Sequence, residues 1–342
     1  MHGDILEVKG LVTRFFTRQG VVHAVDDVSF RIPAASTLAL VGESGSGKSV
    51  TGLSIMRLVP PPGRIVSGEI LFKGENLLLF DQERMRKVRG RDIAMIFQDP
   101  MTSLNPVYTV GDQVAEVISA HEGLGRKQAW ARAVEMLDRV RIPNAKNRAD
   151  DYPHQLSGGM RQRVMIAIAL ACNPALLIAD EPTTALDVTI QAEILDLLAR
   201  IKEEFKISLL LITHDLGVVA EAADQVEVMY AGQIVEQGSV RDIFRGPAHP
   251  YSEGLLKSIP RVHRNDARND LGNGSRKRLA TIEGSVPNLI DIGPGCRFAG
   301  RCSYQIQECT AGEIPMIEPS PGRLSRCIRS GSVGNPNSGG KE

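Results

Sequence analysis

The amino-acid sequence predicts an α/β fold in which a mainly parallel sheet is covered by helices. Two short apolar runs, 176–179 and 209–212, are typical of buried strands, and the stretch between them, 190–201, has helical apolar spacing. A third apolar run, 37–41, leads into a glycine-rich turn. Strands that alternate with helices in this way favour parallel pairing. The chain of 342 residues is long enough to bury a substantial core.

The elements around this core follow in order along the chain. Residues 5–8 begin a strand, and at 28–32 apolar and polar residues alternate with the period of a half-buried strand. Apolar residues recur with helical spacing at 110–140, and the helical pattern continues at 160–172. The sequence therefore predicts a separate helical subdomain, at about 99–172, inserted into the α/β core.

Composition argues against some classes of protein. Lys and Arg total 40, as do Asp and Glu, so the zero net charge offers no whole-chain attraction for nucleic acid or an anionic membrane. The longest uncharged stretch, 164–179, is interrupted by Asn173-Pro174 and is shorter than the ~20 residues that a membrane-spanning helix needs. The first residues lack the basic and then apolar pattern of a secretory signal. We therefore expect a cytoplasmic protein.

A phosphate-binding loop follows the apolar run 37–41. Residues 42–49, GESGSGKS, fit the pattern G-x-x-x-x-G-K-[ST]. Glycines allow the backbone conformations that turn successive N–H groups towards phosphate. Lys48 is expected to reach the β- and γ-phosphates, and the Ser49 hydroxyl to ligate Mg²⁺. The loop residues predicted to bind the nucleotide are Gly42, Ser44, Gly45, Ser46, Gly47, Lys48 and Ser49.

Polar side chains follow three other predicted strands. Asp180 and Glu181 come directly after one apolar run, and adjacent carboxylates at a buried strand end are costly unless a cation or water chemistry uses them. Asp180 is predicted to hold Mg²⁺ through its water shell, and Glu181 to be the general base that polarises the attacking water. Gln98 follows another apolar run, 94–97, and His214 follows the run 209–212 through Thr213, at the sheet edge where open α/β folds bind ligands.

The segment 156–163, LSGGMRQR, lies between the phosphate loop and the acidic strand end. With these motifs in this order, the chain resembles ATP-binding cassette (ABC) transporter ATPase subunits over roughly residues 5–240. The resemblance implies a P-loop NTPase ABC cassette, with a RecA-like core, an antiparallel β subdomain and a helical subdomain, plus a small C-terminal extension. Residues 1–245 are expected to form the cassette, 246–330 the extension, and 331–342 a disordered tail rich in Gly, Ser and Asn.

The resemblance also implies roles within the cassette's own site. Phe15, or alternatively Phe16, stacks on adenine, an interaction that tolerates any base. Gln98 ligates Mg²⁺ together with Ser49 and Asp180, and senses the γ-phosphate. His214 holds the γ-phosphate and helps to position the attacking water. The expected catalytic residues are Glu181, His214 and Lys48.

A second cassette is part of the same implication. In ABC proteins the LSGG segment binds ATP that is held by the partner cassette, so Ser157, Gly158 and Gly159 are expected to lie at the partner's γ-phosphate. The loop 185–187, which includes Asp187, is expected to cross the dimer interface. Ser157 and the glycines also suit the N-terminus of the helix that follows, and the two interpretations coexist.

Two further stretches indicate a branch of this family. Residues 99–106 (DPMTSLNP) and 249–256 (HPYSEGLL) resemble the oligopeptide/dipeptide (and nickel) importer ATPases. The resemblance implies a second ATPase subunit, expected to be a distinct paralogue, two transmembrane permease subunits and an extracytoplasmic peptide-binding protein, with no nucleic acid. The chain is then expected at the cytoplasmic face of the inner membrane as a peripheral subunit, with the loop after Gln98 facing a permease.

Four of the five cysteines crowd the C-terminal part of the chain, at Cys296, Cys302, Cys309 and Cys327. In a reducing cytoplasm such a cluster indicates metal rather than disulfides. The spacing C-x5-C-x6-C-x17-C lacks the C-x2-C knuckle common in zinc sites, and four thiolates can also hold an iron–sulfur cluster. Zn²⁺ and unliganded thiols remain alternatives, whereas the resemblance to the peptide-importer branch favours a 4Fe–4S cluster.

These patterns lead to one functional hypothesis and its alternatives. The chain is expected to be the ATP-hydrolysing subunit of an importer that couples ATP binding and hydrolysis, at a cassette dimer interface, to uptake of di- or oligopeptides. Import of nickel or another small solute stays open, because the sequence does not reveal the cargo. ABC ATPases of repair or translation usually carry tandem cassettes or long coiled-coil inserts, and exporter components are commonly fused to membrane helices; the sequence shows neither feature.

Overall fold

The computed structural model describes residues 3–99, 103–184, 186–259, 281–290 and 292–333. Residues 334–342, which make up most of the predicted tail, lie outside these ranges. So do residues 100–102 of the importer-like loop after Gln98, and Ala185 of the predicted dimer loop.

Strands and helices alternate as the apolar patterns predict. The strands are β1 (Asp4–Thr17), β2 (Gly20–Pro33), β3 (Thr37–Val41), β4 (Gly63–Phe72), β5 (Glu75–Asn76), β6 (Ile93–Ile96), β7 (Leu176–Asp180), β8 (Ser208–Thr213), β9 (Gln225–Tyr230), β10 (Gln233–Ser239), β11 (Ile317–Ser320) and β12 (Arg323–Ser325). The α-helices are α1 (Lys48–Ile55), α2 (Gln82–Val88), α3 (Val110–Glu122), α4 (Arg126–Arg139), α5 (Ala145–Arg148), α6 (Gly158–Leu170), α7 (Val188–Phe205), α8 (Leu216–Ala222), α9 (Val240–Arg245) and α10 (Pro250–Lys257). Across the described ranges, none of these helices combines the length and the apolar character that crossing a bilayer requires.

A large mixed sheet forms the centre of the fold, with the strand order β11-β12-β10-β9-β3-β8-β7-β6. Strands β9, β3, β8, β7 and β6 pair in parallel. Every residue of β3, β7 and β8 is buried, which is why their sequences are short and mostly apolar, as in parallel sheets covered on both faces. The predicted α/β fold is confirmed.

Two layers cover this sheet. On one side, an antiparallel sheet of order β2-β1-β4-β5 shares a single apolar core with α1 and with the buried strands. On the other side, the helices between β6 and β7, together with α7, form a second core. Helix α3 begins at a threonine cap, because the Thr109 hydroxyl accepts a hydrogen bond from the Asp112 N–H at 3.2 Å. The helical segment lies between β6 and β7 in the chain.

The C-terminal part of the chain continues the large sheet. Strand β12 pairs antiparallel with β10, with Ser325 opposite Glu236. Glu236 is fully buried, and its carboxylate accepts hydrogen bonds from the Arg323 guanidinium at 2.6 Å and from the N–H groups of Ala248 and His249 at 2.8 and 3.0 Å. A buried carboxylate is tolerated only with such partners. Glu236 therefore connects β10, β12 and the residues just before α10 through hydrogen bonds.

Candidate nucleotide-binding site

The phosphate loop joins the buried strand β3 to helix α1, so that it lies at the carboxyl end of the parallel strands. Gly47 precedes the helix with a φ of 105°, a left-handed conformation that other residues rarely adopt. A Cβ atom at Gly47 would lie 2.2 Å from the carbonyl oxygen of Ala24 in β2. Glycine is therefore required here by both the turn and the close approach of β2.

Lys48, the first residue of α1, points back into this loop and is 4% exposed. Its ammonium group donates to the carbonyl oxygens of Gly42 at 2.8 Å and Glu43 at 3.0 Å. Burial lowers the pKa of Lys48, and the negative charges of Glu181 and Asp180 partly offset this effect. The lysine is thus a buried cation at the base of the loop, within electrostatic reach of the acids that end β7.

Asp180 is the last residue of β7, and it contacts the start of α1. Its Oδ1 accepts a hydrogen bond from the Ser49 hydroxyl at 2.9 Å. Burial raises the pKa of Asp180, the Ser49 hydrogen bond lowers it, and the neighbouring Glu181 charge raises it further. A nearby cation stabilises the ionised form of a buried carboxylate. The structure thus brings two of the predicted Mg²⁺ ligands together at a position that favours a bound cation.

The backbone at Glu181 turns sharply away from the strand. Its φ of 46° is uncommon for a residue other than glycine, and conformations of this kind cluster at functional sites. The Glu181 N–H donates to the carbonyl oxygen of Ile212 in β8 at 2.9 Å, which holds the turn against the adjacent strand. The turn thereby directs the carboxylate out of the sheet edge.

Three side chains surround the Glu181 carboxylate. Oε2 accepts hydrogen bonds from the Gln98 amide at 3.1 Å and the Thr184 hydroxyl at 2.8 Å, and Nδ1 of His214 lies 3.3 Å from Oε1. Partial burial raises the pKa of Glu181, but the hydrogen bonds from Thr184 and His214, together with the electrostatic effects of His214 and Lys48, outweigh it and bring the net pKa below its usual value. Glu181 is an ionised acceptor held in place. Thr184 was not predicted as a site residue. A threonine three residues after an acidic residue in a turn is, however, a recognisable sequence pattern for a side-chain hydrogen bond.

An open cleft of about 440 Å³ lies beside the phosphate loop. It is lined by Phe15, Thr17, Val22, Ala24, Ser44, Gly45, Gly47, Lys48, Ser49, Val50, Gln98, Glu181 and Leu289. The structure brings Phe15 to the cleft rather than Phe16, whose ring is covered by the Arg64 guanidinium at 4.0 Å. Leu289 comes from the C-terminal extension and was not predicted. Of the predicted loop residues, Gly42 and Ser46 are buried behind the wall of the cleft.

The LSGG segment occupies a different part of the surface. Ser157 caps helix α6, since its hydroxyl accepts a hydrogen bond from the N–H three residues later at 3.3 Å, and this confirms the capping interpretation. Asp187 caps α7 in the same way, with a 3.0 Å hydrogen bond from the Ile190 N–H. Among the described residues that line the cleft, none belongs to the set Ser157, Gly158, Gly159 and Asp187.

The four C-terminal cysteines line one small, largely enclosed cavity, together with apolar residues such as Phe298 and Ile314. Burial raises the pKa of Cys296 and Cys302, and raises that of Cys327 to about 11. In the part of the chain that the structure describes, no three His, Cys, Asp or Glu side chains are grouped closely enough to hold a metal ion. Within the described residues, the four thiols therefore line one cavity but do not form a group of this kind.

Comparison with known proteins gives two family matches and several close relatives. Residues 25–184 match the ABC transporter family, and residues 235–309 match the oligopeptide/dipeptide transporter, C-terminal region. A Brucella melitensis protein named as a peptide import ATP-binding protein is 54% identical, over 95% of this chain and 97% of its own. The oligopeptide transport ATP-binding protein AppD of Bacillus subtilis is 51% identical, over 95% and 96%.

Solved structures agree with these matches. The dimeric ATP-binding cassette MJ0796, in a post-hydrolysis state bound to ADP and Pi, is 27% identical with a TM-score of 0.63, covering 69% of this chain and 99% of that one. The cbiO1 protein of Clostridium perfringens, part of the ABC transporter complex cbiONQ, is 28% identical with a TM-score of 0.60, covering 71% and 91%. The chain therefore belongs to the ABC transporter family, in the branch that carries the oligopeptide/dipeptide transporter C-terminal region.

Proposed function

We propose that this chain is the ATP-hydrolysing subunit of an ABC importer for di- or oligopeptides. The observation that carries the proposal is the Glu181 carboxylate, which is ionised and held by Gln98, Thr184 and His214 beside the phosphate loop. Relatives that are 51% and 54% identical over nearly the whole chain are named for oligopeptide transport and peptide import, which supports peptides as the cargo.

Hydrolysis of ATP by water depends on positioning and charge neutralisation more than on covalent chemistry. In the proposed reaction the loop N–H groups bind the phosphates, and Lys48 moves from its carbonyl partners to the β- and γ-phosphates. Glu181 accepts a hydrogen bond from the attacking water and draws off its proton. Gln98 and His214, which already contact Glu181, bring the γ-phosphate and the water to the same point.

The oxygen atoms at the start of α1 and the end of β7 fit a magnesium ion. The Ser49 hydroxyl and the Asp180 carboxylate, 2.9 Å apart, would hold the ion, and Gln98 would add its amide oxygen. One carboxylate together with substrate phosphates is the ligand set that Mg²⁺ uses in ATPase sites. When bound, the ion neutralises charge on the β- and γ-phosphates.

Lys48→Ala should weaken ATP binding itself. The variant loses a buried cation that contacts phosphate, and hydrogen bonds to charged groups contribute about 1.5–3 kcal/mol. We expect the Kd for Mg-ATP to rise by roughly 10- to 150-fold, measured by calorimetric titration of the full chain. Lys206→Ala, an exposed lysine after α7, is the control. Unchanged affinity in Lys48→Ala would contradict the proposal that the phosphate loop binds ATP.

We further propose that the chain works with a second, paralogous ATPase subunit, two permeases and an extracytoplasmic binding protein, at the cytoplasmic face of the membrane. Support for a second cassette comes from Ser157 and Asp187, which lie outside the chain's own cleft. Purification of the full chain from its native membrane, with mass spectrometry of the companions, tests this. Permease and paralogue sequences are expected; stable association with ribosomes or DNA would contradict it.

The cysteine cavity supports a proposed 4Fe–4S cluster held by Cys296, Cys302, Cys309 and Cys327. The proposal rests on four thiols that line one cavity, since four thiolates can ligate such a cluster. Such a cluster would offer one-electron redox chemistry, and the cavity walls would shield it from water. Anaerobically purified protein should contain about four iron and four acid-labile sulfide per chain. Zinc without iron would rule this proposal out.

A further inference from the structure

The polar groups of Glu43, inside the phosphate loop, are all engaged. Its N–H donates to the Tyr251 hydroxyl at 2.8 Å, and its carbonyl oxygen accepts from Lys48 at 3.0 Å. Its carboxylate receives two hydrogen bonds from the Arg301 guanidinium, at 2.7 and 3.1 Å. Tyr251 and Arg301 belong to the C-terminal extension, so one loop residue is held on three sides, twice by groups from outside the cassette.

Both of these groups are rigidly placed. The Arg301 side chain is 8% exposed, and its remaining N–H groups donate to the carbonyl oxygens of Glu283 at 2.9 Å and Ile282 at 3.2 Å. Tyr251 is fully buried, with its ring 4.6 Å from that of Tyr230. A planar guanidinium that binds a carboxylate through two parallel hydrogen bonds fixes orientation as well as distance.

The position of Glu43 matters to phosphate binding because the loop works through its backbone. A phosphate held by successive N–H groups requires each peptide unit to be oriented before the ligand arrives, and preorganisation of this kind raises affinity without a new contact. Glu43 also carries one of the two carbonyl oxygens that hold Lys48 in place. Movement of Glu43 would therefore disturb both the loop backbone and the lysine.

We propose that the C-terminal extension is a positioning element of the ATP site, in which Arg301 and Tyr251 act through Glu43 on the phosphate loop. Neither residue touches the nucleotide; both set the geometry of the groups that do. This inference rests on the proposed binding of ATP at the loop. It assigns to the extension a function in nucleotide affinity.

Arg301→Gln tests this inference in the full chain. Residues that act on a site without touching its ligand change binding by about 0.5–2 kcal/mol, so the Kd for Mg-ATP should rise roughly 2- to 30-fold. Arg301→Lys, which keeps the charge but loses the paired geometry, should recover part of the affinity. In the assembled transporter the KM for ATP should rise while kcat stays within about twofold, since loosened binding affects ground and transition states alike.

Arg297→Gln is the matched control. Arg297 also belongs to the C-terminal extension, and its side chain is 6% exposed. It binds Asp26 in β2 and the Ala231 carbonyl oxygen, both outside the phosphate loop. It should therefore change thermal stability and leave the Kd for Mg-ATP near the parent value. An equal loss of affinity in Arg297→Gln and Arg301→Gln would overturn the proposal, because general loosening of the extension would then explain both.

A double-mutant cycle with Glu43→Gln completes the test. If Arg301 acts through Glu43, the double variant should bind Mg-ATP no more weakly than the worse single variant. Parent-like affinity in both single variants would overturn the inference while Lys48→Ala, run in parallel, still reports on ATP binding at the loop. Parent-like affinity in Lys48→Ala as well would instead overturn the proposed function.

Discussion

Glu181→Gln is expected to bind ATP with near-parent affinity and to lose turnover by about 10²- to 10⁴-fold, the usual contribution of a general base. Glutamine keeps the shape of the side chain and its contacts with Gln98 and Thr184, but it cannot take a proton from water. The closed, ATP-loaded pair of cassettes should therefore accumulate. Phosphate release measures the first effect, and size-exclusion chromatography with Mg-ATP measures the second.

The control for this variant is Glu203→Gln, which neutralises an exposed carboxylate on α7, away from the cleft. Turnover should be unaffected there. The pKa of Glu181 lies below its usual value, so the parent carboxylate is already ionised at neutral pH. Glutamine has no group that ionises in this range, so raising the pH should not restore turnover in Glu181→Gln. Near-normal hydrolysis in Glu181→Gln would show that another group takes the proton.

Ser157→Arg is expected to abolish hydrolysis of the ATP held by the partner cassette, while the chain's own Kd for ATP stays close to the parent value. A bulky cation at the LSGG segment keeps the two cassettes from closing, and a misplacement of about 1 Å at a phosphoryl-transfer site can cost ~10²-fold in rate. When the two subunits are distinguishable, Glu181→Gln in this chain inactivates its own cleft. The remaining hydrolysis then comes from the partner's cleft, which is the site that Ser157→Arg is expected to affect.

Ser157 also caps helix α6, so part of any effect could come from loss of the cap. Ser239→Arg is the matched control, since Ser239 caps α9 through a 3.1 Å hydrogen bond from the Asp242 N–H. Both variants lose a cap worth about 0.5–2 kcal/mol, but only Ser157→Arg should stop hydrolysis. Comparable ATPase activity in the two would refute the assignment of the LSGG segment to a partner's nucleotide.

Much of this site was predictable because its groups lie in short contiguous segments. The loop 42–49 and the pair Asp180-Glu181 each carry their chemistry in adjacent residues that follow an apolar strand. The choice between Phe15 and Phe16 was not settled by sequence, since neighbouring residues of a strand face opposite sides and either phase fits an aromatic pair. The structure settles which ring reaches the cleft, because Arg64 covers Phe16.

The contributions of the C-terminal extension could not be predicted for a different reason. Arg301 and Glu43 are 258 residues apart in the chain, and no local pattern connects them. Leu289 is likewise an ordinary apolar residue until the fold brings it to the cleft. Contacts of this kind follow from tertiary packing alone. The amino-acid composition of the C-terminal extension drew attention only to its four cysteines.

The pairing of β12 with β10 has a consequence for how the protein is made. Arg323 follows its partner Glu236 by 87 residues, and ribosomes add ~5–20 residues per second, so β10 emerges roughly 4 to 17 seconds before the strand that covers it. During that interval its outer edge is an open template for other nascent chains, and the Glu236 carboxylate lacks its guanidinium. Cells that make this subunit slowly, or truncate it before β11, should accumulate it in inclusion bodies or in chaperone complexes.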